Sequence, residues 1–321
     1  MNSLIRPFPA PNQRAIPSTD DTGTNALMFD RTTGFPTRAL LLDRMKIALA
    51  AARRYRRRAA LLHIGLDRLE FLLQSLAQEA AEAVQASIAE ALGNCVRDCD
   101  TVARLGTAEF VVLLPEIGQR EDAGILAARV VEAVARLFER NEPRFPVTAS
   151  IGVAVYPTDG TSQERLLKGA AAALRNARGT EGGGFALADA TSAELKAIKP
   201  LEFLSKYCIG VSKIDAEHRD LVARMNALAN GLKSGIDPRA LECDVRAMVE
   251  LLRAHLTTEG ILLGTSPFEA SVDLKTGNLR FLEDMNCILL HVNSQSIALA
   301  IRHLYDWLIP HLLYLDRKMV S

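Results

Sequence analysis

The sequence predicts a two-domain protein of the α+β/α multi-domain class, in which an α+β domain with a central sheet flanked by helices precedes an all-α antiparallel four-helix bundle. Its 321 residues are enough for two domains of about 150 residues each. Short β-rich runs alternate with long amphipathic helical patterns over residues 30–187. After residue 199 the strand signals stop, and four helical patterns follow with short breaks that contain Gly, Pro or Ser.

The individual elements are predicted from apolar periodicity. In the first domain, apolar runs predict strands at 60–65, 102–105, 110–114, 147–155 and 185–187. Helical spacing predicts helices at 37–55, 79–97, 120–140 and 163–178. In the second domain the same spacing predicts helices at 212–233, 237–264, 272–292 and 295–316.

These elements divide the chain into four segments. We expect a flexible N-terminal segment at 1–28, which contains four prolines and little apolar periodicity. The α+β domain then covers 29–188, a linker covers 189–202, and the helical domain covers 203–321. The linker composition is not strongly flexible, so we expect the two domains to be coupled.

Composition excludes several classes of partner and location. The 38 basic and 38 acidic residues cancel, so the charge gives no indication of a nucleic acid or an anionic membrane surface as partner. No stretch reaches the roughly 18 apolar residues of a membrane span, and the N-terminus lacks an apolar signal core. The five cysteines are scattered without CxxC spacing, which fits a reducing compartment. We therefore predict a cytoplasmic protein without a membrane span.

The turn between the second and third predicted strands carries a sequence signature. Residues 104–110 read Arg-Leu-Gly-Thr-Ala-Glu-Phe and resemble the RxGGDEF signature of diguanylate cyclases. Residues 30–38 resemble the DxLTGLxNR stretch of that family, and residues 150–157 resemble its SIGVAxxP strand. The resemblance covers about 155 residues and implies a GGDEF-type sheet. The positions of its five-letter signature are taken by Gly106, Thr107, Ala108, Glu109 and Phe110.

The resemblance also implies that the catalytic residues are absent. Joining two GTP molecules requires carboxylates that hold two divalent metal ions, and a glycine turn that lets the backbone approach the nucleotide. The first metal aspartate of the family corresponds to Gly65, and its second glycine and central acid correspond to Thr107 and Ala108. Glu109 is then the remaining metal carboxylate. We predict a degenerate GGDEF domain that is not an enzyme.

A regulatory site of the same family has a match ahead of the turn. Arg97 and Asp100 reproduce the RxxD motif through which family members bind the product, cyclic di-GMP, and Arg129 aligns with a further arginine of that site. A guanidinium can fork onto a phosphate or a guanine edge, and a carboxylate can accept guanine N–H groups. We interpret these residues as a candidate cyclic di-GMP site. The alternative is a surface turn in which the two side chains pair with each other.

Three stretches of the second domain resemble hemerythrin. They are residues 207–221 (YxVGxxxIDxxHxxL), 255–259 (HFxxE) and 307–316 (WLxxHxxxxD). His255 and Glu259 are one helical turn apart and share a face. The resemblance implies that the acids bridge two irons and that two histidines complete one of them. It assigns the metal-ligand positions to His218, His255, Glu259, His311 and Asp316.

The resemblance implies that the second iron takes the remaining histidine, His311, and two histidines of the third helix, and this sequence lacks those two. Its HxxxH pair corresponds to Leu274 and Asn278, and neither side chain replaces an imidazole. Cys287 and His291 form an i, i+4 pair further along, but their use would require an insertion. One iron, manganese or zinc ion in the bundle therefore ranks ahead of no metal, and a diiron pair ranks behind both.

Three functions remain open. The first is a non-catalytic bacterial signalling protein that binds cyclic di-GMP or a protein partner of a signalling pathway, with a bundle that senses metal, oxygen or redox state. The second is an active diguanylate cyclase regulated by the bundle. The third is a ligand-free scaffold for protein interactions. A homo-oligomer is compatible with each of them.

Overall fold

The computed structural model describes residues 27–141, 147–178, 183–188, 200–203, 207–263, 271–290 and 292–319, without the side chains of 262–263, 271–276 and 313–319. The described residues belong to two compact units, one within Met1–Asp189 and one within Ala190–Ser321. Most of the predicted segments 1–28 and 189–202 lie outside the described residues. Among the described helices, none combines the length and apolar character of a membrane span.

A five-stranded mixed sheet forms the centre of the first unit. β1 pairs antiparallel with β3 and β4, β2 pairs antiparallel with β3, and β4 pairs parallel with β5, so the order is β2-β3-β1-β4-β5. The five strands predicted from apolar runs are confirmed, and β1 and β3 extend beyond the predicted bounds. The strands are β1 (Arg58–Asp67), β2 (Thr101–Arg104), β3 (Glu109–Ile117), β4 (Thr148–Tyr156) and β5 (Gly184–Leu187).

Helices cover both faces of this sheet. The predicted helices are confirmed as α1 (Arg38–Tyr55), α3 (Gln78–Cys95), α4 (Arg120–Asn141) and α5 (Gln163–Ala177). A further helix, α2 (Leu69–Gln74), was not predicted, because six residues are too few to show a helical period. It follows Arg68, which has a left-handed φ of 65°. The short helix therefore begins where the chain turns sharply away from the end of β1.

The core of this unit lies between the sheet and its helices. α4 packs on the sheet and α3 packs on α4. The helix α5 lies very close to β4, because a Cβ at Gly152 would overlap the carbonyl oxygen of Ala170. One face of the sheet joins α1 and α5 in an apolar cluster that includes Leu41, Met45, Leu61, Leu113 and Ala173.

The second described unit is helical. It contains α6 (Ser212–Lys233), a 3₁₀ turn (Pro238–Leu241), α7 (Glu242–Leu263), α8 (Ser271–Leu290) and α9 (Ser294–Met319), and these helices overlap the four predicted helical segments. α6 packs on α7 and α9, and α8 packs on the same two helices. Their inward faces bury apolar side chains that include Leu221, Met225, Leu252, Met285 and Leu304.

A buried ion pair joins α4 to the segment after β4. Nη1 of Arg120 donates to Oδ1 of Asp159 at 2.9 Å, and the two side chains are 9% and 1% exposed. The same guanidinium also donates to the carbonyl of Ala188. Oδ2 of Asp159 accepts from the amide of Val155 at 2.7 Å. Both charges therefore depend on each other and on the backbone around the end of β4.

We expect Arg120→Ala to lower the free energy of unfolding of this unit by about 3–5 kcal/mol, because it leaves the Asp159 carboxylate buried without its cation. The matched control is Arg136→Ala on the same helix, because the Arg136 side chain is 66% exposed and its ion pair with Glu132 is worth under about 0.5 kcal/mol. Urea unfolding of both variants measures the difference. Equal losses in the two variants would contradict a structural role for the buried pair.

Candidate functional site

The signature residues form the hairpin between β2 and β3, as predicted. The amides of Leu105 and Gly106 donate to the carbonyl of Glu109 at 2.9 and 3.2 Å, which closes the turn. Thr107 is exposed at its tip, whereas Ala108 is buried and its carbonyl accepts from Leu66 at the end of β1. The hairpin is therefore held against the end of the central strand.

Two residues of the stretch 104–110 contact the beginning of the described part of the first unit. The Phe110 side chain is buried and meets the ring of Phe35 edge to face, with the centroids 6.3 Å apart. The guanidinium of Arg104 donates to Asp30 at 2.9 Å and to the carbonyl of Gly106 at 3.0 Å. Residues 30–38 and 104–110, the two stretches with family resemblance, therefore support each other directly.

A guanidinium occupies the space beside Gly65. A Cβ at Gly65 would overlap Nη2 of Arg178, which follows α5. Nε of Arg178 lies 3.4 Å from Oδ1 of Asp67, and Oδ2 of Asp67 accepts from Ser150 at 2.6 Å and from Thr148 at 3.3 Å. Asp67 is thus engaged by a cation and two hydroxyl groups. The role of Arg178 was not predicted, because no sequence spacing links it to β1 and the contact exists only in the folded unit.

Glu109 is the carboxylate that remains on this edge. It lies opposite Gly65 in the pairing of β1 with β3, and its side chain is 47% exposed. Its Oε2 is 3.9 Å from Nε2 of His63. Burial lowers the pKa of His63, Glu109 opposes that shift, and Arg178 and Arg38 add to it. This edge of the sheet therefore carries one exposed carboxylate next to a neutral imidazole and a guanidinium.

Arg97 and Asp100 lie in the turn between α3 and β2. The amide of Arg97 donates to Oδ2 of Asp100 at 2.9 Å, and the amide of Asp100 donates to the carbonyl of Arg97 at 3.0 Å. The carboxylate thus holds the backbone of Arg97, whose side chain is exposed. Arg129 is half-buried on α4, the helix on which α3 packs. The three residues belong to neighbouring elements of one unit.

The helical unit brings four of the five predicted metal-ligand residues together. His218 on α6, His255 and Glu259 on α7, and His311 on α9 are all buried. One ring nitrogen from each histidine lies within 4.8 Å of the other two. Nε2 of His311 is 3.3 Å from Nε2 of His255 and 3.4 Å from Oε2 of Glu259. The side chain of Asp316, the fifth residue, lies outside the described residues.

Groups outside the cluster orient two of its imidazoles. Nδ1 of His218 lies 2.8 Å from the carbonyl oxygen of Tyr207, and Nδ1 of His255 lies 2.9 Å from Oε2 of Glu217. A carbonyl or a carboxylate can only accept, so each Nδ1 carries the proton and each Nε2 presents a lone pair. Metal-binding histidines characteristically have such partners. The sequence did not indicate Glu217 or the Tyr207 carbonyl, because neither belongs to a ligand spacing.

The Glu259 carboxylate is the least compensated group of the cluster. Its side chain is 3% exposed, and among the described residues neither of its oxygens accepts a hydrogen bond. Burial raises the pKa of Glu259 to about 7. Burial lowers the pKa of His311 to about 3 and lowers that of His255, with the neighbouring imidazoles contributing. Nitrogen atoms of His255 and His311 therefore lie beside a buried carboxyl group whose charged form is disfavoured by burial.

An aromatic stack borders the cluster on α9. Trp307 stacks on His311 with the centroids 4.2 Å apart, and Phe281 of α8 stacks on Trp307 at 4.5 Å. His303 packs on the other side of Phe281 at 4.9 Å. His303 therefore belongs to the packing of α8 against α9.

The residues considered as ligands of a second iron lie on or next to α8. Asn278 lies on α8, whereas the side chain of Leu274 and the whole of His291 lie outside the described residues. Cys287 is half-buried on α8 and belongs to no described metal-ligand cluster. The described histidine cluster therefore consists of side chains from α6, α7 and α9.

Comparison with known proteins concerns the first unit. The family model described as "Diguanylate cyclase, GGDEF domain" matches residues 27–183. The bifunctional diguanylate cyclase/cyclic di-GMP phosphodiesterase MucR of Pseudomonas aeruginosa is 34% identical over 151 residues, which are 47% of this chain and 22% of that protein. The diguanylate cyclase TpbB of the same organism is 33% identical over 158 residues, 47% of this chain and 36% of that protein.

A solved structure matches the same region. The GGDEF domain of TpbB from Pseudomonas aeruginosa is 31% identical, covers 50% of this chain and 94% of that chain, and has a TM-score of 0.45. The chain spans about a fifth and about a third of the length of the two curated relatives. The hairpin signature, the mixed five-stranded sheet and the family match together show that residues 27–183 form a GGDEF domain of the diguanylate cyclase family.

Proposed function

We propose that the chain is a non-catalytic signalling protein of cyclic di-GMP pathways. Its GGDEF domain binds the dinucleotide at Arg97 and Asp100 rather than making it. A hemerythrin-like four-helix bundle holds a metal ion and senses metal, oxygen or redox state. The observation that carries the loss of catalysis is the guanidinium of Arg178, which fills the space beside Gly65.

The charges around Gly65, at the end of β1, oppose the binding of metal ions. Two divalent ions on a triphosphate require several carboxylates. Asp67 is already paired with Arg178 and accepts from two hydroxyl groups, so it has little capacity left for a cation. Glu109 alone is exposed and available. A fixed positive charge at Arg178 would also repel a metal ion placed beside Gly65.

We expect no cyclic di-GMP when the protein is incubated with GTP and Mg²⁺ or Mn²⁺, because one carboxylate cannot position two ions. Chromatography of the nucleotides measures the product, with an active diguanylate cyclase assayed in parallel. The variant Glu109→Gln should behave identically. Product that forms with the wild type and disappears in Glu109→Gln would establish an active cyclase instead.

Nucleotide binding is supported by the turn at Arg97. The Asp100 carboxylate and the backbone hydrogen bonds fix this turn, so the exposed guanidinium of Arg97 extends from an ordered position. Preorganisation of this kind lowers the entropy cost of binding a phosphate or a guanine edge. No ion pair joins the Arg97 guanidinium to Asp100 in the described part of the chain, which favours a ligand-binding role over a self-paired surface turn.

We expect cyclic di-GMP to bind, and Arg97→Ala to weaken the affinity at least about 10-fold, as the loss of a charge-assisted hydrogen bond of about 1.5–3 kcal/mol requires. Asp100→Asn tests the carboxylate, because it keeps an acceptor for the Arg97 amide. Arg136→Ala on the surface of α4 removes the same charge and should bind normally. Calorimetry that detects no heat for the wild type would refute the proposed site.

The metal proposal rests on the fit of the helical cluster to a cation. A buried carboxylate that accepts no described hydrogen bond faces imidazoles, two of which present a lone pair. Imidazole and carboxylate are the ligands that iron, manganese and zinc share. A redox-active ion such as iron would supply the response to oxygen. His218, His255 and Glu259 would hold it, with Asp316 as the further ligand that the family resemblance implies and His311 beside them.

We expect metal analysis of the purified protein to find a first-row divalent metal. Trp307 is the only tryptophan of the chain and stacks on His311, so its fluorescence should change when the metal-free protein is titrated with Zn²⁺ or, without oxygen, Fe²⁺. Mg²⁺ should have no effect, because it prefers oxygen ligands. A fluorescence signal that ignores all three ions, together with a metal-free preparation, would contradict metal binding.

A further inference from the structure

The inner atoms of the helical cluster lie at distances set by a single ion. A tetrahedral ion with metal–ligand bonds of about 2.0–2.1 Å holds its ligand atoms about 3.3–3.4 Å apart. The Nε2 atoms of His255 and His311 are 3.3 Å apart, and Oε2 of Glu259 lies 3.4 Å from His311 and 4.0 Å from His255. These three atoms already lie close to one face of such a tetrahedron.

His218 supplies the fourth corner. Its ring belongs to the same group of three histidines whose ligand nitrogens lie within 4.8 Å of one another. Its Nδ1 is committed to the carbonyl of Tyr207, so its Nε2 is the nitrogen left for a metal. Its ring meets that of His255 edge to face, with the centroids 4.9 Å apart. Small movements of these side chains would place all four ligand atoms around one ion.

From this geometry we infer a mononuclear centre in which His218, His255, His311 and Glu259 all bind the same divalent ion. The inference rests on the proposed metal-binding function and goes further, since it assigns His311 rather than Asp316 as the fourth ligand of the ion that His218, His255 and Glu259 bind. The ligand class is a borderline first-row cation such as Zn²⁺, Fe²⁺ or Co²⁺. Three neutral imidazoles and one carboxylate leave a net charge of +1 on the centre.

A second ion has no comparable ligand set in the described part of the chain. Two ions that share bridging ligands lie about 3.5–4 Å apart, and each needs further ligands of its own. Among the described residues, the three histidines form the only cluster with metal-ligand spacing. His311, which a second ion would require, is in contact with His255 instead.

Outer groups hold this arrangement on two sides. The Glu217 carboxylate binds Nδ1 of His255 and also accepts from Thr258 at 3.3 Å, which fixes the His255 ring against rotation. Trp307 covers the face of His311 at 4.2 Å. A ligand set held this firmly binds its ion with little reorganisation.

The test titrates metal-free protein with Co²⁺, whose visible bands are intense when four ligands surround it and weak when six do. Equilibrium dialysis with elemental analysis gives the stoichiometry. We expect one Co²⁺ per chain with the intense bands. His311→Ala should shift the bands, because a water then replaces an imidazole, and weaken binding by more than the about 10- to 100-fold that loss of an outer partner causes. His303→Ala, on the same helix in the same aromatic stack, should keep both.

The outcomes separate the two proposals. Two Co²⁺ per chain, or a spectrum and an affinity that are both unchanged in a folded His311→Ala variant, would overturn the mononuclear centre while leaving metal binding intact. Weak bands typical of six ligands would overturn it as well. No Co²⁺ binding at all would overturn metal binding together with the centre. The wild-type stoichiometry and spectrum decide the matter even if a variant fails to fold.

Discussion

Burying a charged side chain costs several kcal/mol unless an opposite charge compensates it, and this constraint governs both units of the chain. In the GGDEF domain the Arg120 guanidinium and the Asp159 carboxylate satisfy each other, with backbone groups taking their remaining hydrogen bonds. Glu259 in the helical unit is as deeply buried, yet its described polar neighbours are imidazole nitrogens. The buried Asp159 carboxylate has its counter-charge in Arg120, whereas the buried Glu259 carboxylate still requires a cation or a proton.

In the GGDEF domain the space beside Gly65 is not left empty. Gly65 has no side chain of its own to cover the end of the central strand. The guanidinium of Arg178 fills that space and pairs with Asp67, so charge and volume are both accounted for. A carboxylate restored at position 65 would meet Arg178 and form an ion pair. A carboxylate at position 65 alone is therefore not expected to create a metal site.

Local pattern predicted the strands, the long helices and the His255–Glu259 spacing, because each depends on residues near one another in the chain. The six-residue helix Leu69–Gln74 was missed because it is shorter than two helical turns. Contacts between distant segments were also missed. Arg178 reaches Asp67 across more than a hundred residues, and Glu217 reaches His255 across 38. Such pairs carry no sequence spacing, although the fold brings them together.

The position of His311 connects the losses in the helical unit to its remaining chemistry. Family resemblance places this histidine with two imidazoles of the third helix, but this sequence has Leu274 and Asn278 at those positions. Because α8 has no imidazoles at those positions, His311 has no partner histidines there, and in the described residues it contacts His255. Trp307 stacks on one face of its ring, and Nε2 then lies at 3.3 Å from the His255 nitrogen. Two lone pairs cannot remain that close, so the contact requires either a shared proton or a shared metal ion between them.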